Sequence, residues 1–292
     1  MTESFAWLDA DGALFQLDGF ALGVEVLDGV KGRGAPPVRV ERETIPGRAG
    51  ERRRATQHAI RTLELPLMFA GDDEPEAAAV VEQWLTRLDP TRGDGRLRIT
   101  SHAGTTREVI CRYASGLELE EVLGSSRFAG KYLATLVLEA DYPYWLDSSD
   151  TAATWDTAAP VTWFPWPPLR LSSAAIYAGQ TITVGGAVDA SPLWTVHGPG
   201  TGLRVTHTNT GRTFSWNGEL GPGDVLTIDT RRTPLSSDPR AVRVNGVNAY
   251  SLLGDRDLFP FVPGTQTVNV ELTATDVSTT VAASWRAQYL KG

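Results

Sequence analysis

The sequence has a single cysteine and no long apolar run. Cys111 alone cannot form an internal disulfide or supply a multi-cysteine zinc site, and the alternating apolar and polar residues around it predict a buried structural thiol. No apolar stretch approaches the roughly 20 residues of a membrane-spanning helix. Residues 1–30 also lack the basic start and apolar run of a secretory signal. We therefore expect a soluble chain that does not insert into a membrane.

The sequence also lacks the patterns of common catalytic sites. It has no G-x-S-x-G elbow, no phosphate-binding P-loop and no H-E-x-x-H motif, and no two of its four histidines stand at metal-ligand spacing. His207, within V-T-H-T-N, is expected at the surface or half-buried in a strand. These absences predict a protein without enzymatic activity, metal or cofactor.

Three carboxylates, Glu219, Asp224 and Asp229, are close together in N-G-E-L-G-P-G-D-V-L-T-I-D-T-R-R, residues 217–232. The turn residues G-P-G-D place Asp224 at the start of a strand and Asp229 near its end, about 16 Å apart at about 3.3 Å per residue. The paired carboxylates of a glycosidase stand roughly 5 to 9.5 Å apart. We therefore expect a turn followed by a strand, without a catalytic pair.

Positive charge is scarce overall and concentrated in one segment. The net charge of −8 argues against sequence-independent binding of nucleic acid, which depends on neutralising phosphates. Residues 31–61 hold nine Lys or Arg against three Glu, a local charge of +6, which leaves −14 for the rest of the chain (−8 minus 6). This asymmetry suggests that basic and acidic surfaces meet, for example between copies of the chain.

The first half predicts one helix within a series of strands. Apolar residues recur with a 3.6-residue period over 75–88, Asp73 and Glu76 can cap the first turn, and Pro90 blocks continuation. Period-two alternation around this helix predicts strands, and Pro66 within one of them implies an edge or a bulge. Residues 1–146 therefore read as a strand-rich α+β domain with one helix.

Composition changes after this domain. Small polar residues followed by prolines and tryptophans predict a semi-rigid connector over 147–168. Its rings either pack against a domain or contact a partner or a glycan, and they are Trp155, Trp163 and Trp166. Strand and turn signals then follow at short intervals over 169–292, which predicts an antiparallel β-sandwich or jelly roll with hairpin turns at T-N-T-G and Asn245-Gly246.

The order of these features resembles the distal tail protein (Dit) family, minor tail proteins of long-tailed, non-contractile bacteriophages. The first domain carries the resemblance in I-P-G-R-A-G-E-R-R-R, R-T-L-E-L-P-L-M-F-A-G, the single helix and L-A-T-L-V-L-E-A-D-Y-P-Y-W-L. Less specifically, L-G-P-G-D-V-L-T-I-D-T and V-R-V-N-G-V-N resemble the family's galectin-like C-terminal β-sandwich. The resemblance implies a mainly β protein with a ring-forming first domain and a β-sandwich second domain.

The resemblance also implies a function. Such a chain is assembled in the host cytoplasm and forms a hexameric ring at the distal end of the virion tail, through which DNA only passes. Its implied partners are copies of itself, the tail tube protein, the baseplate hub or a tail-associated lysin, the tape measure protein and receptor-binding proteins. The family has no catalytic residues to carry over, and the resemblance implies no cofactor.

Two hypotheses and two alternatives follow. The first hypothesis is that four residues of the basic hairpin contact an acidic face of a neighbouring subunit or of the tail tube, namely Arg48, Arg52, Arg53 and Arg54. The second hypothesis is that the central channel of the ring is acidic or neutral, so that passing DNA is not retained. The main alternative is a carbohydrate-binding module whose C-terminal β-sandwich contacts host cell-surface glycan. A hydrolase is a further alternative that turnover of polysaccharide or peptidoglycan would have to support.

Overall fold

The chain divides into two compact units. A computed structural model describes residues 3–47, 49–117, 131–156, 161–162, 170–171, 175–232 and 234–292. The first unit comprises Met1–Ser148 and Tyr289–Gly292, and the second comprises Ser149–Gln288. Strands dominate both units, and the described residues contain one α-helix, which confirms the mainly β class. No described helix is both long and apolar enough to cross a bilayer.

The first unit is built on one large antiparallel sheet. Its strands run in the order β2-β1-β7-β8-β9-β6-β3, β10 pairs with β8, and β4 pairs with β5 in a separate two-stranded sheet. The strands are β1 (Ser4–Leu8), β2 (Leu14–Gln16), β3 (Val24–Val26), β4 (Val38–Thr44), β5 (Glu51–His58), β6 (Arg61–Ala70), β7 (Gly95–Thr100), β8 (Thr106–Ser115), β9 (Lys131–Ala140) and β10 (Trp145–Asp147).

The predicted helix is confirmed as α1 (Glu74–Arg87), and a short 3-10 helix follows at Pro90–Arg92. Asp73 accepts a hydrogen bond from the Glu76 amide at 2.9 Å, as the capping prediction requires, while the Glu76 carboxylate accepts from the Asp72 amide at 2.7 Å. The helix buries one face, which includes Val81 and Trp84, in the same core cluster as the apolar side chains of the sheet.

Pro66 lies where the ladder on one side of β6 has already ended. On one flank β6 pairs along its full length with β9, and on the other it pairs with the three residues of β3 and, beyond Pro66, with Lys31 through an isolated bridge at Glu64. The Pro66 carbonyl accepts from the Leu27 amide at 2.8 Å, so its missing N–H faces this short-strand side. The proline therefore removes no bond from the long ladder, which explains why the strand tolerates it.

Cys111 also matches the sequence prediction. Its side chain is 1% exposed in β8, and burial raises the pKa of the thiol to about 12. Because the thiolate is the reactive form, this cysteine is a structural residue of the core.

The second unit is an antiparallel β-sandwich. One sheet has the order β11-β23-β15-β18-β19-β20 and the other β14-β22-β16-β17-β21, and their inward side chains form one apolar cluster. The remaining strands of the chain are β11 (Thr151–Asp156), β12 (Val161–Thr162), β13 (Arg170–Leu171), β14 (Ala175–Val184), β15 (Leu193–His197), β16 (Gly200–His207), β17 (Arg212–Leu220), β18 (Val225–Asp229), β19 (Val242–Val244), β20 (Val247–Asn248), β21 (Leu253–Arg256), β22 (Gly264–Thr273), β23 (Thr280–Trp285) and β24 (Gln288–Tyr289).

Both predicted hairpins of the sandwich are present. In the first, β16 and β17 pair with Val205 opposite Phe214. In the second, β19 and β20 flank Asn245 and Gly246, whose φ values of 51° and 81° are those of a type I′ turn. His207, by contrast, is only 3% exposed. The expectation of a surface or half-buried histidine was wrong, because the sandwich core extends to this end of β16.

The start of the expected connector is a strand of the sandwich. Residues 151–156 form β11 and pair with β23, and Trp155 is 2% exposed with its ring stacked on Trp194 at a centroid distance of 5.4 Å. Its Nε1 donates to the Val268 carbonyl at 3.3 Å. This burial removes Trp155 from the candidate partner or glycan contacts, since an enclosed ring cannot stack on a ligand. Trp163 and Trp166 lie outside the described residues.

The variant Trp155→Phe is expected to destabilise the second unit by about 2 kcal/mol, because it loses both ring volume and the bond to Val268. Calorimetry of the full chain should show a lower transition temperature for this unit. The neighbouring variant Thr154→Ala, which alters an exposed side chain of the same strand, should change nothing measurable. Equal transitions in the two variants would contradict the assignment of β11 to the core.

Candidate subunit-interface hairpin

The basic hairpin is the two-stranded sheet of β4 and β5, residues 38–58. Among the described residues these strands pair only with each other, and every residue in them is exposed or half-buried. At the base of the hairpin, His58 Nδ1 and the Tyr144 hydroxyl lie 2.8 Å apart in a hydrogen bond. An isolated two-stranded hairpin is marginally stable in water, because it buries almost no apolar surface. The basic hairpin therefore needs a surface to pack against.

The acidic residues of the basic hairpin are already matched within it. Each of its three glutamates has a partner on the opposite strand, namely Glu41 with Gln57 at 3.1 Å, Glu43 with Arg54 at 2.5 Å and Glu51 with Arg42 at 3.7 Å. These pairs are exposed, so each contributes little to stability. Two of the three carboxylates, Glu43 and Glu51, nevertheless have an arginine partner within the hairpin.

The remaining arginines are unmatched. Arg39, Arg52 and Arg53 have no hydrogen-bond or ion-pair partner in the part of the chain that the structure describes, and all three are exposed. Arg53 stands directly opposite Arg42 in the register, and like charges in directly opposed positions are destabilising. The hairpin thus presents surplus positive charge that carboxylates from another surface could neutralise.

The structure separates the four arginines predicted from the sequence. Arg52 and Arg53 are free to bind outside the hairpin, whereas Arg54 is paired with Glu43. Arg48 lies outside the described residues.

Arg61, which sequence reasoning did not single out, anchors the chain beside this hairpin. It begins β6 three residues after the basic hairpin ends, and it is 1% exposed. Its guanidinium donates to four backbone carbonyls, those of Pro143 at 2.7 Å, Gly34 at 2.6 Å, Leu290 at 2.8 Å and Gly32. Burial lowers the pKa of Arg61 to about 10, so the side chain is still charged at neutral pH. The described acceptors of the charged guanidinium are therefore backbone carbonyls, where a carboxylate is the more usual partner.

The strand predicted between Asp224 and Asp229 is present as β18, and both of these carboxylates have structural partners. Asp224 accepts from the Asn245 side chain at 2.7 Å and the Gly221 amide at 2.8 Å, and these bonds lower its pKa. Desolvation raises the pKa of Asp229, but its bonds to Arg231 at 2.8 and 2.9 Å outweigh that and leave the pKa lowered. No cluster of three potential metal ligands occurs among the described residues.

Comparison with known proteins identifies relatives of this architecture. Residues 185–289 match the family described as siphovirus-type tail component, C-terminal domain. No curated protein is similar enough in sequence to match the chain. Among solved structures, the Dit (gp 19.1) protein of phage SPP1, described as a paradigm of the hub adsorption apparatus in phages infecting Gram-positive bacteria, has a TM-score of 0.65 at 15% identity. That match covers 97% of this chain and 98% of the Dit chain.

Two structures of the phage P2 baseplate in its activated conformation also match. The structure with Ca has a TM-score of 0.51 and covers 98% of this chain, and the structure with Sr has a TM-score of 0.50 and covers 97%. Both share 10% identity with this chain, and 98% of each matched chain is covered. At these identities the likeness is one of fold. Residues 185–289 thus match a tail-component domain, and the chain as a whole shares its fold with the Dit protein of phage SPP1, in agreement with the resemblance seen in the sequence.

Proposed function

We propose that this tail component forms a hexameric ring that joins the tail tube to the baseplate hub and to the host-recognition proteins. The observation that carries the proposal is the basic hairpin, whose two strands have no buried residue and carry arginines without a described partner. Packing of this hairpin on a second copy would give it the apolar and ionic contacts that it lacks within its own chain.

Charge distribution supports a head-to-tail arrangement of identical copies. A ring of this kind needs two different, complementary surfaces on each subunit. The +6 segment of residues 31–61 supplies one, and the −14 of the remaining sequence supplies carboxylates for the other. We assign Arg52 and Arg53 to contacts with an acidic face of a neighbouring subunit or of the tail tube.

The remaining parts of the proposal concern the neighbours. Besides copies of itself, the chain would contact the tail tube protein, the tape measure protein, the baseplate hub or a tail-associated lysin, and receptor-binding proteins. An acidic or neutral channel would let DNA pass without retention, because retention depends on cationic groups that neutralise phosphates. The role is structural, and the family match is to a tail component.

Glycan binding by the sandwich is a second candidate function. Trp155 does not support it, because that ring is buried in the core. A different aromatic residue of the same unit, Tyr177, is 70% exposed and favours it. The site around this tyrosine is argued separately below.

The mass of the purified chain tests the ring. Light scattering should give about six times the 31.6 kDa of one chain, and electron micrographs of the same fraction should show a particle with a central hole. Raising the salt concentration should shift the population towards monomers, because dissolved ions screen the attraction between exposed charges. The screening length is about 10 Å at 0.1 M ionic strength and shortens as salt is added. A particle of one-chain mass at every concentration would contradict self-assembly of the isolated protein.

A further inference from the structure

The outer face of the five-stranded sheet carries a row of polar groups that the proposed ring does not use. We propose that this face binds a neutral saccharide through Tyr177, Glu271, Arg204 and Asn269, which we call the Tyr177 row. The site belongs to the second unit alone, so it does not depend on ring formation.

The register of the sheet brings these side chains together. Tyr177 on β14 is paired with Glu271 on β22, and Glu271 is paired with Arg204 on β16. Cross-strand partners project from the same face, and neighbouring strands lie about 4.8 Å apart. The three side chains therefore span about 10 Å, which matches one to two sugar rings in length.

Asn269 completes the row beside the tyrosine. It is paired with Gly179, two residues along β14 from Tyr177. A Cβ atom at residue 179 would lie 2.5 Å from the Asn269 Oδ1 atom, so a larger residue there would displace the amide from its present position. The amide consequently lies on the sheet surface next to the ring of Tyr177.

The groups of the Tyr177 row are free, unlike their neighbours. Within the described residues, none of the four side chains makes a hydrogen bond or an ion pair, and Glu271 and Arg204 do not bridge although they stand opposite each other. The hydroxyls nearby are instead matched across strands, in the pairs Thr181–Thr267 at 3.4 Å, Thr183–Thr265 at 3.4 Å and Thr206–Thr213 at 3.2 Å. The Tyr177 row therefore has donors and acceptors available for an external ligand, whereas the neighbouring threonine hydroxyls are already hydrogen-bonded to each other.

The chemistry of the Tyr177 row fits a saccharide better than a protein. Protein interfaces have an apolar centre surrounded by polar groups, whereas this face offers one aromatic ring and otherwise hydroxyl, amide and charged groups. A pyranose presents one apolar face, suited to stacking on an amphipathic ring, and a rim of hydroxyls. Those hydroxyls can donate to Glu271 and accept from Arg204 in charge-assisted bonds. The opposite charges cancel, which favours a neutral sugar.

A glycan array tests the site with the full chain. Labelled protein is applied to an array of neutral hexose and N-acetylhexosamine oligosaccharides that also carries uronic-acid and phosphorylated oligosaccharides. We expect retention on at least one neutral oligosaccharide, a loss of about tenfold in Tyr177→Ala, and a smaller loss in Glu271→Gln and Arg204→Ser. Tyr250→Ala, which removes another exposed tyrosine of the same unit, should bind as the unaltered chain does.

Because Tyr177 is exposed, its replacement by alanine should leave the thermal transition unchanged. A loss of binding in this variant could then not be attributed to unfolding. Retention by no neutral oligosaccharide, retention by acidic ones only, or equal retention in Tyr177→Ala would each overturn the proposal. Loss of a tail-protein contact in Tyr177→Ala, with no glycan bound, would instead assign this face to protein docking. The mass of Tyr177→Ala should be measured in the same experiment, because an unchanged mass would show that a loss of binding does not result from a loss of the ring.

Discussion

Reversing two charges in the basic hairpin, by Arg52→Glu together with Arg53→Glu, is expected to leave the chain folded and to abolish the ring. Both side chains are exposed and have no partner among the described residues, so their replacement costs the monomer little. At a subunit contact the same replacement sets carboxylates against an acidic surface. Electrostatic attraction at each subunit contact is then replaced by repulsion. A closed ring contains the same contact between every pair of neighbours, so every contact is weakened.

The double reversal would also remove an unfavourable pair. Arg53 faces Arg42 across the hairpin, and a glutamate at position 53 would form a cross-strand ion pair there. At position 52 a glutamate would instead stand opposite Glu43, so the two cross-strand effects oppose each other. The hairpin of the variant should therefore be about as ordered as that of the unaltered chain. Loss of the ring could then be attributed to the lost intermolecular contact.

The matched control reverses two exposed arginines of the second unit, Arg232→Glu with Arg240→Glu. It changes the net charge by the same amount, so it separates a local contact from the general effect of charge. We expect light scattering and electron micrographs to show rings for the control and monomers for the hairpin variant. Rings in both variants would refute a role of Arg52 and Arg53 in assembly.

Periodicity and turn chemistry predicted most of the fold. The helix, its cap at Asp73, the Asn245-Gly246 hairpin and the sandwich all depend on local signals that survive in the structure. The exposed basic hairpin was also predictable, because its strands carry charges on both faces. What the sequence did not reveal was which of its arginines are matched, since that depends on the register and on the bulge between Glu41 and Arg42.

Two tertiary features were hidden for different reasons. Trp155 occupies a strand whose other residues are small and polar, so composition predicted a connector although β11 buries Ala153 and Trp155 at alternate positions. Arg61 continues the inward period of Leu63 and Leu65, but a charged residue at a core position reads as a break in the pattern. The carbonyls that satisfy Arg61 come from three distant segments, and no local signal connects them.

Arg61→Met is expected to destabilise the first unit by about 3 kcal/mol, although methionine fills a similar volume with an apolar side chain. Removal of the guanidinium leaves four carbonyls without this donor, of which that of Pro143 is buried and the others, including that of Leu290, are partly buried. Unsatisfied buried acceptors cost about 1 to 3 kcal/mol each, and entering water recovers part of that. For a unit of this size the transition temperature should fall by about 6 to 12 °C.

The same substitution at Arg39, an exposed residue without a described partner, is the control and should cost less than about 0.5 kcal/mol. A second measurement locates the effect, because Arg61 holds the final residues through Leu290. Carboxypeptidase should trim Arg61→Met readily and leave both Arg39→Met and the unaltered chain intact.

The pH dependence of this loss has a definite sign. Burial lowers the pKa of Arg61 from its usual value to about 10, so the unfolded chain binds the proton more tightly than the folded one. The cost of burying the charge is therefore constant below about pH 10 and diminishes only as the pH rises from there towards the pKa of the unfolded chain. The difference between Arg61→Met and the unaltered chain should accordingly be flat across neutral pH. A difference that changed there would mean that a group other than Arg61 controls the stability of this anchor, and the four-carbonyl account would fail.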